Sequence, residues 1–402
     1  MGQVRTRTVH GSVAALAAVV LVMLAACTPP VTPPPAPTLP TGTGVAWWKD
    51  AGGTIVEDFG GPTYRPAFQR WVTLGGTATG PGPVDAGAAL PAPYLAAFGF
   101  NLPMYPDGTA KYPWNGFAGE GISAATNPNS IVVAFPGGTC TIGASLGVQV
   151  GGITPSPDGT KLAYVGRDIS GFFGYTVAWV DILSLHPGGG CSAVTSWTVD
   201  YSPEQPADHP NTGLVVWSPE SDSILFPVST DGGLWQRIVR LDAVAGATPQ
   251  TILDRSARCW FPLGWSVDDR VLLSCVEQHA GNPMTVRSTL ETMPVAGGPR
   301  TVIDAAESSA VTSSTANMHL YHYGYFVPGT STIVYNDGSE AFPTSKGTVP
   351  AFRLRLHDDL TGAEAPLPGA PSTTTTHPEP LLSDPQATTP IPDLVLVERF
   401  VR

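Results

Sequence analysis

A turn followed at once by an alternating strand recurs four times between residues 156 and 335 of this chain. The clearest copy is 156–165, in which Pro157-Asp158-Gly159 supplies a tight turn and Leu162 and Tyr164 share one face of the next strand. The other copies span 217–226, 265–273 and 326–335. Their first apolar strand residues fall at 162, 224, 271 and 333, at intervals of 62, 47 and 62. Such repetition predicts a fold made of similar modules.

Each copy is followed by further strand-like runs, such as 236–241, 287–295 and 301–303. Three or four short strands in every 40–60 residues, with no convincing amphipathic helix, are typical of propeller blades. Only 13% of the residues are charged, which argues against coiled coils and long surface helices. We therefore predict an all-β chain. Two stacked β-sandwich domains are the alternative to a propeller, and the fourfold repetition of one unit favours the propeller.

The turn Ser156-Pro157-Asp158-Gly159 resembles the turn of TolB-like, WD-repeat-related β-propellers, and degraded forms of it open the other three copies. The resemblance covers about 150–367. Dividing the roughly 355 residues after the linker by about 50 residues per blade suggests seven four-stranded blades, with six as a close alternative. Residues 45–149 would then supply the remaining blades, with 127–133 as the best candidate strand and 106–108 as a weaker turn. The run Leu394–Phe400 could pair with an early strand and close the ring, leaving the Pro/Thr-rich stretch 366–393 as a surface excursion.

The first 27 residues have the parts of an export signal. Arg5 and Arg7 precede the apolar run Val13–Leu24, which is too short for the ~20 residues that cross hydrocarbon. Leu24-Ala25-Ala26-Cys27 then resembles the bacterial lipobox. The resemblance implies cleavage after residue 26, a diacylglyceryl group on the Cys27 thiol and an acyl chain such as palmitate on its new amine. The alternative is an ordinary signal peptide with a chance cysteine.

A Pro-rich stretch separates this signal from the rest of the chain. Residues 28–44 contain seven prolines, which favour a polyproline II spacer of roughly 50 Å. We therefore divide the chain into a cleaved signal peptide (1–26), the lipidated Cys27 with its linker (27–44) and a propeller domain (45–402).

Four further cysteines, an even number, are expected to form disulfides outside the cytoplasm. Cys259 and Cys275 flank a hairpin centred near 267–269, so their strands would lie side by side. Cys140 and Cys191 would then pair by default. A zinc site is the alternative, and the absence of any Cys-x-x-Cys spacing disfavours it.

The charge balance excludes several partner classes. Twenty Lys and Arg against 32 Asp and Glu give a formal net charge of −12, which suits neither nucleic acid nor anionic lipid. No spacing matches a calcium loop, a phosphate loop or a dinucleotide fingerprint, so we predict neither cofactor nor metal.

The few motifs that could carry catalysis have simpler explanations. Gly143-Ala144-Ser145-Leu146-Gly147 matches the nucleophile elbow of α/β-hydrolases, but strand-like rather than helical sequence follows it. His319 and His322 are three apart on a strand-like run and would point to opposite faces. Asp208-His209 and Asp358-Asp359 read as loop or turn residues, and Asp107-Gly108, Asp231-Gly232 and Asp337-Gly338 read as turn formers.

No catalytic set can therefore be assigned from the sequence. We expect a membrane-anchored extracytoplasmic lipoprotein that acts as a non-enzymatic binding or scaffold module. Its partners would be another envelope protein or an extracellular ligand, bound by loops on a rigid scaffold. The alternative is an exported hydrolase or lyase that acts on peptide or glycan at a propeller channel.

Overall fold

The computed structural model describes most of the chain after residue 117 and shorter parts before it. The described residues are 33–39, 44–50, 54–58, 61–65, 68–74, 77–79, 118–119, 122–127, 130–135, 138–143, 148–168, 176–201, 208–210, 215–229, 237–254, 259–279, 285–308, 324–327, 329–344, 347–368, 377–378, 388–389 and 396–401. The chain divides into two compact units, Met1–Ala36 and Pro37–Arg402. In the first unit, residues 33–36 are exposed to solvent.

All regular structure in the described residues is β-strand. In the first part of the chain the strands are β1 (Gly44–Asp50), β2 (Thr54–Asp58), β3 (Gly61–Arg65), β4 (Phe68–Leu74), β5 (Thr77–Thr79), β6 (Ala118–Gly119), β7 (Ile122–Asn127), β8 (Ser130–Phe135), β9 (Gly138–Gly143), β10 (Val148–Pro155), β11 (Lys161–Asp168), β12 (Thr176–Leu185) and β13 (Cys191–Tyr201). No helix among the described residues has the length and apolar character needed to cross a membrane.

The remaining strands continue in the same style. They are β14 (His209–Pro210), β15 (Val216–Trp217), β16 (Ser223–Ser229), β17 (Arg237–Asp242), β18 (Gln250–Leu253), β19 (Cys259–Trp265), β20 (Arg270–His279), β21 (Thr285–Pro294), β22 (Thr301–Ser308), β23 (Gly324–Phe326), β24 (Thr332–Thr344), β25 (Gly347–Asp358), β26 (Glu364–Pro366), β27 (His377–Pro378), β28 (Thr388–Thr389) and β29 (Leu396–Val401). The predicted all-β class is confirmed.

The strands form antiparallel sheets that follow one another along the chain. We number the larger ones sheet 1 (β29-β1-β4-β5), sheet 2 (β6–β9), sheet 3 (β10–β13), sheet 4 (β14–β18), sheet 5 (β19–β22) and sheet 6 (β23–β26). In sheet 4, β14 and β15 both pair with β16 and together take the first position. Two small pairs, β2 with β3 and β27 with β28, accompany them. β29 pairs with β1, as the sequence predicted for the last strand-like run.

Sheets 2 to 6 stack face to face in chain order, because successive side chains of a strand point to opposite faces. On β11, Leu162 and Tyr164 pack against sheet 2, whereas Ala163 and Val165 pack against sheet 4. On β16, Phe226 faces sheet 3 and Leu225 faces sheet 5. The same alternation continues through β20 and β24. A strand buried on both faces needs apolar side chains at consecutive positions, which explains runs such as 162–165 and 271–273.

Each sheet from 3 to 6 has two tight turns at one end, which we call the turn end. One turn joins the first strand to the second (156–160, 218–222, 266–269, 327–331) and one joins the third to the fourth (186–190, 243–249, 295–300, 359–363). A backbone N–H at the end of the third strand, or directly after it, donates to a carbonyl of the first turn in every case, namely Leu185 to Thr160, Ala243 to Asp222, Val295 to Asp269 and Asp359 to Ser331. The repeat seen in the sequence is therefore a structural repeat at this end.

Candidate functional site

Three of the four repeated turns, those of sheets 3, 4 and 5, are built around a serine side chain. In sheet 3, the backbone N–H of Lys161 donates to Ser156 Oγ at 2.9 Å, and Ser156 Oγ–H donates to Asp158 Oδ1 at 2.6 Å. In sheet 4, Ser218 Oγ accepts from the N–H of Ser223 at 3.1 Å and donates to Asp222 Oδ1 at 2.8 Å. The Ser218 hydroxyl lowers the pKa of Asp222, since it stabilises the carboxylate. These serine and aspartate side chains therefore hydrogen-bond within their own turns and close them.

Each of the four turns has a residue in the left-handed conformation, and that residue is glycine in only two of them. The fourth turn position has a positive φ of 70° at Gly159, 63° at Ser221 and 54° at Asp269. Only glycine adopts this conformation without a steric cost, so the Ser and Asp copies carry some strain. In the turn of sheet 6, the left-handed residue is Gly329, one position earlier, at 73°. This variation explains why the Ser-Pro-Asp-Gly motif is complete in one copy only.

Polar contacts join the turns of sheets 3 and 4. The N–H of Asp158 donates to Ser221 Oγ at 3.1 Å, and Lys161 Nζ donates to the Ser221 carbonyl at 3.0 Å. Deeper in the same interface, Trp217 Nε1 donates to the carbonyl of Thr154 at 2.9 Å. Hydrogen bonds at and near the turn end therefore hold sheet 3 against sheet 4.

A buried ion pair joins the turns of sheets 5 and 6. The guanidinium of Arg270 binds the carboxylate of Asp359, whose side chain is only 1% exposed. Thr292 Oγ1 donates to Asp359 Oδ1 at 2.7 Å, and Arg270 also donates to Thr292 Oγ1 at 2.7 Å. Each member of this triad contacts the other two, so the pair is well satisfied despite its burial.

A group of ionisable side chains in mutual contact lies on sheet 6. Arg355 reaches Asp337 at 2.9 Å and Glu364 at 3.0 Å. Tyr335 donates its hydroxyl to Glu364 Oε1 at 3.2 Å. Burial, together with the charges of Glu364, Asp337 and nearby Asp304, raises the pKa of Tyr335, so its hydroxyl stays protonated. We call Tyr335, Asp337, Arg355, His357 and Glu364 the sheet 6 polar cluster.

His357 also belongs to this cluster. Its side chain is 10% exposed, and Nδ1 lies 3.5 Å from Glu364 Oε1. Its ring packs edge-on against Tyr335, with the ring centroids 6.4 Å apart. Both carboxylates of the cluster already bind Arg355, so the geometry suits a fastening network better than a base paired with a nucleophile.

The structure accounts for several sequence motifs. Gly143 ends β9 and Val148 begins β10, so strand rather than helix follows the Gly-x-Ser-x-Gly match, and Ser145 itself lies outside the described residues. Asp208 binds Arg237 at 2.5 Å, and His209 begins β14. His319, His322 and Cys27 also lie outside the described residues, as do Asp107 and Asp231. Within the described part of the chain, no three His, Cys, Asp or Glu side chains group as metal ligands would.

The prediction that Asp337-Gly338 forms a turn is wrong. Asp337 lies inside β24, and the register between β24 and β25 shifts between Asp337 and Glu340, which is a bulge. The hairpin turn comes later, between Thr344 and Gly347. A glycine within a strand marks a bulge as readily as a turn, and the ion pair to Arg355 holds Asp337 in the sheet.

Cys140 and Cys191 form a disulfide, as predicted. Cys140 lies on β9 and Cys191 begins β13, so the bridge joins the fourth strands of sheets 2 and 3. Cys259 lies opposite Cys275 in the register of β19 with β20, and Cys275 is disulfide-bonded. The side chain of Cys259 lies outside the described residues, so its predicted pairing with Cys275 stays a prediction.

Sequence reasoning missed both ionic networks. It treated Asp358-Asp359 as one turn, whereas Asp358 accepts the turn N–H groups and Asp359 binds Arg270. A signal for the sheet 6 polar cluster was present in Leu354-Arg355-Leu356-His357. There ionisable side chains alternate with apolar ones, which indicates a strand with one polar face.

Comparisons with known proteins give little further information. No family model and no curated protein matches the chain. Among solved structures, it is similar to the β-propeller domain of the Trilobed protease from Pyrococcus furiosus, at 14% identity over 57% of this chain and 59% of that one, with a TM-score of 0.34. The Pyrococcus horikoshii acylaminoacyl peptidase gives 12% identity over 57% of this chain and 33% of that one, with a TM-score of 0.34. A Synechocystis apocarotenoid oxygenase gives 11% identity over 90% and 86%, with a TM-score of 0.37.

This chain thus spans less than two thirds of each of the first two proteins, 59% of one and 33% of the other. Because every one of these TM-scores lies below 0.4 and every identity below 15%, the three likenesses carry no argument about activity.

Proposed function

We propose that this protein is a lipid-anchored extracytoplasmic scaffold whose residues 45–402 form a six-bladed β-propeller that binds a partner without catalysis. The observation that carries the proposal is the continuous stack of sheets 2 to 6, in which sheets 3, 4 and 5 are each buried against the sheet before and the sheet after. A stack of this kind makes a rigid support for binding loops.

The number six is supported by the six described sheets that have four strand positions. Sheet 1 contains β1, β4 and β5 from the start of the domain and β29 from its end. A blade completed by strands from both ends of a domain would close a ring and remove its two free sheet edges. Ring closure and the number six are parts of this proposal.

Binding is favoured over catalysis by the roles of the described ionisable side chains. The acids that the structure brings near basic groups serve as ties between strands or sheets, as in the pairs of Asp208 with Arg237, Asp359 with Arg270 and Asp337 with Arg355. A catalytic carboxylate or histidine needs access to a substrate and a pKa matched to its task. Ion-paired groups of this kind fit a structural role.

The lipid anchor rests on the Leu24-Ala25-Ala26-Cys27 sequence alone. It is tested by purifying the tagged full chain from its native host and measuring the mass of its N-terminal peptide. We expect a peptide that begins at Cys27 and carries diacylglyceryl and acyl groups. The matched control is Cys27→Ser, which should leave the membrane fraction. An unmodified Cys27 in wild-type protein contradicts the anchor.

The binding role needs a separate experiment. The acylated full chain is crosslinked within native envelopes, which are then solubilised in detergent. Each protein captured with it is then used as bait to recover this chain. We expect at least one partner recovered in both directions and no turnover of peptide or glycan substrate panels. Hydrolysis or elimination by the purified chain, abolished by substitution of one residue, would establish the exported-enzyme alternative instead.

A further inference from the structure

Four large apolar side chains of the described residues stand exposed, and all lie at or beside the turn end. Val244, Val267, Val302 and Leu360 are 58%, 47%, 52% and 65% exposed. They belong to three consecutive sheets, with Val244 in sheet 4, Val267 and Val302 in sheet 5 and Leu360 in sheet 6. Single exposed apolar residues are ordinary, but their concentration at one end of neighbouring sheets calls for a partner.

Leu360 is presented by a rigid turn. Asp358 Oδ1 accepts hydrogen bonds from the N–H groups of Leu360 and Thr361, both at 3.0 Å. The N–H of Gly362, whose φ is 70°, donates to the Asp358 carbonyl at 2.8 Å. Asp359, which lies between Asp358 and Leu360, forms an ion pair with Arg270. The backbone that carries Leu360 is therefore already ordered, and contact through this side chain costs little conformational entropy.

Val267 lies in the adjoining turn and is held in the same way. The Ser266 hydroxyl accepts from the N–H of Arg270 at 3.1 Å, and the N–H of Asp269 donates to the Ser266 carbonyl at 3.2 Å. Since Arg270 follows the turn of Val267 and Asp359 precedes Leu360, the Arg270–Asp359 pair joins the two turns. We call the exposed area formed by these two turns the Val267–Leu360 surface.

The chain segment that precedes β1 packs against sheet 6. Leu39 is buried in the apolar cluster of sheet 6, together with Val327 and Leu367. Cys27 lies 12 residues earlier in the sequence, and 12 residues reach at most about 40 Å. A lipid on Cys27 would therefore keep sheet 6 close to the bilayer, and a tether of this length lets even a weak contact form through its high effective concentration.

Charge near this surface selects the kind of lipid. Asp268 and Asp269 are exposed in the turn of Val267, and Glu220 and Asp222 are exposed in the neighbouring turn of sheet 4. Such a surface is repelled by anionic headgroups and tolerated by zwitterionic ones. The apolar side chains can enter the interface while the carboxylates stay in the hydrated headgroup layer.

We propose that the Val267–Leu360 surface rests on the membrane to which Cys27 tethers the chain, and so sets the orientation of the domain. This inference rests on the lipid anchor of the proposed function. The occupant is a neutral lipid surface; a protein seated on the same residues is the competing outcome.

The test uses the acylated full chain in phosphatidylcholine vesicles, with a fluorophore on Leu360→Cys or, as the matched control, on Thr198→Cys at the exposed outer edge of sheet 3. Both positions are exposed, so neither substitution should impair folding. The unsubstituted chain serves as the labelling blank. We expect quenching by nitroxide-bearing acyl chains to be about fivefold greater at 360 than at 198. Val267→Asp should reduce the quenching at 360, as should anionic lipid at low salt.

Equal quenching at the two positions overturns the inference. So does a label at 360 that is shielded from aqueous iodide in native envelopes but untouched by lipid quenchers, since a protein then covers it. The mass of the N-terminal peptide separates the two proposals: a missing lipid on Cys27 defeats the anchor, whereas an intact lipid with an unquenched label defeats this inference alone.

Discussion

The interface between sheets 2 and 3 and the interface between sheets 5 and 6 repeat one packing arrangement with different chemistry. Between sheets 2 and 3, an apolar cluster that includes Val133 and Leu162 is accompanied by the Cys140–Cys191 disulfide. The backbones also approach closely, because a side chain on Gly138 would collide with the backbone of Gly189.

Between sheets 5 and 6, the apolar cluster includes Leu272 and Phe326, and the added ties are ionic. The Arg270–Asp359 pair closes the turn end of this interface. Apolar burial is therefore common to both interfaces. The additional tie between the sheets is a disulfide in one interface and an ion pair in the other. The two interfaces should consequently fail under different conditions.

Removal of the disulfide should have the largest effect. For a sequence separation of 51 residues, the chain-entropy argument gives a loss of about 4 kcal/mol in the free energy of unfolding for Cys140→Ser with Cys191→Ser. Urea unfolding followed by tryptophan fluorescence measures it. Reductant is unsuitable as the control because Cys275 is also disulfide-bonded; each single Cys→Ser variant should instead match the double variant. An unchanged urea midpoint would contradict the covalent half of the comparison.

Loss of the buried ion pair should come next. Arg270→Ala leaves the Asp359 carboxylate buried without its cation and should cost about 3 kcal/mol. The control is Arg237→Ala, which removes the partly exposed pair with Asp208 and should cost below about 1 kcal/mol. Replacing both partners, as Arg270→Met with Asp359→Leu, should recover most of the loss. Equal destabilisation by the two Arg→Ala variants would show that the pair is not special.

A steric change tests the interface of sheets 2 and 3 without altering charge. A Cβ on Gly166 would overlap the indole of Trp179, which packs against the apolar cluster of that interface. Gly166→Ala should therefore cost about 1–3 kcal/mol, as overpacking does. Adding Trp179→Leu should restore much of the stability, and failure of this rescue would mean that the indole is not the obstacle. Thermal unfolding is sufficient to measure both changes.

Alkaline pH should weaken both interfaces, with no effect at neutrality. Burial raises the pKa of Tyr164, helped by Asp181, and burial with Glu364 raises the pKa of Tyr335, both from an ordinary value of 10.0. The folded state therefore holds these protons more tightly, so the stabilisation is complete below pH 10 and falls as the pH rises above it. Tm measured from pH 8 to 11.5 should decline more steeply in the wild type than in Tyr164→Phe or Tyr335→Phe. Parallel curves would contradict this assignment.

The modular part of the fold could be predicted because it depends on local chemistry. Asp158-Gly159 marks a turn and Leu162 to Val165 marks a strand buried on two faces, and both signals lie within ten residues. Pairing of the last strand-like run with an early strand was also predicted, since such a strand needs an edge to join, and the early strand is β1.

The ties between sheets could not be predicted in the same way. Arg270 and Asp359 are 89 residues apart, and no local pattern reveals that their turns meet. The Asp337-Gly338 pair was misread because a bulge and a turn share the same residues. The sheet 6 polar cluster depends on the register between β24, β25 and β26, which only the assembled sheet defines.

The place of β29 in sheet 1 has a consequence for biogenesis. β1 pairs with β4 early in the chain but can acquire β29 only after residues 396–401 have been synthesised, so sheet 1 stays incomplete while the later sheets assemble. Contacts at so great a sequence separation are slow to form. During that wait the edge of β1 is open to unwanted pairing, so a truncation before residue 396 should be more damaging than the loss of one short strand would suggest.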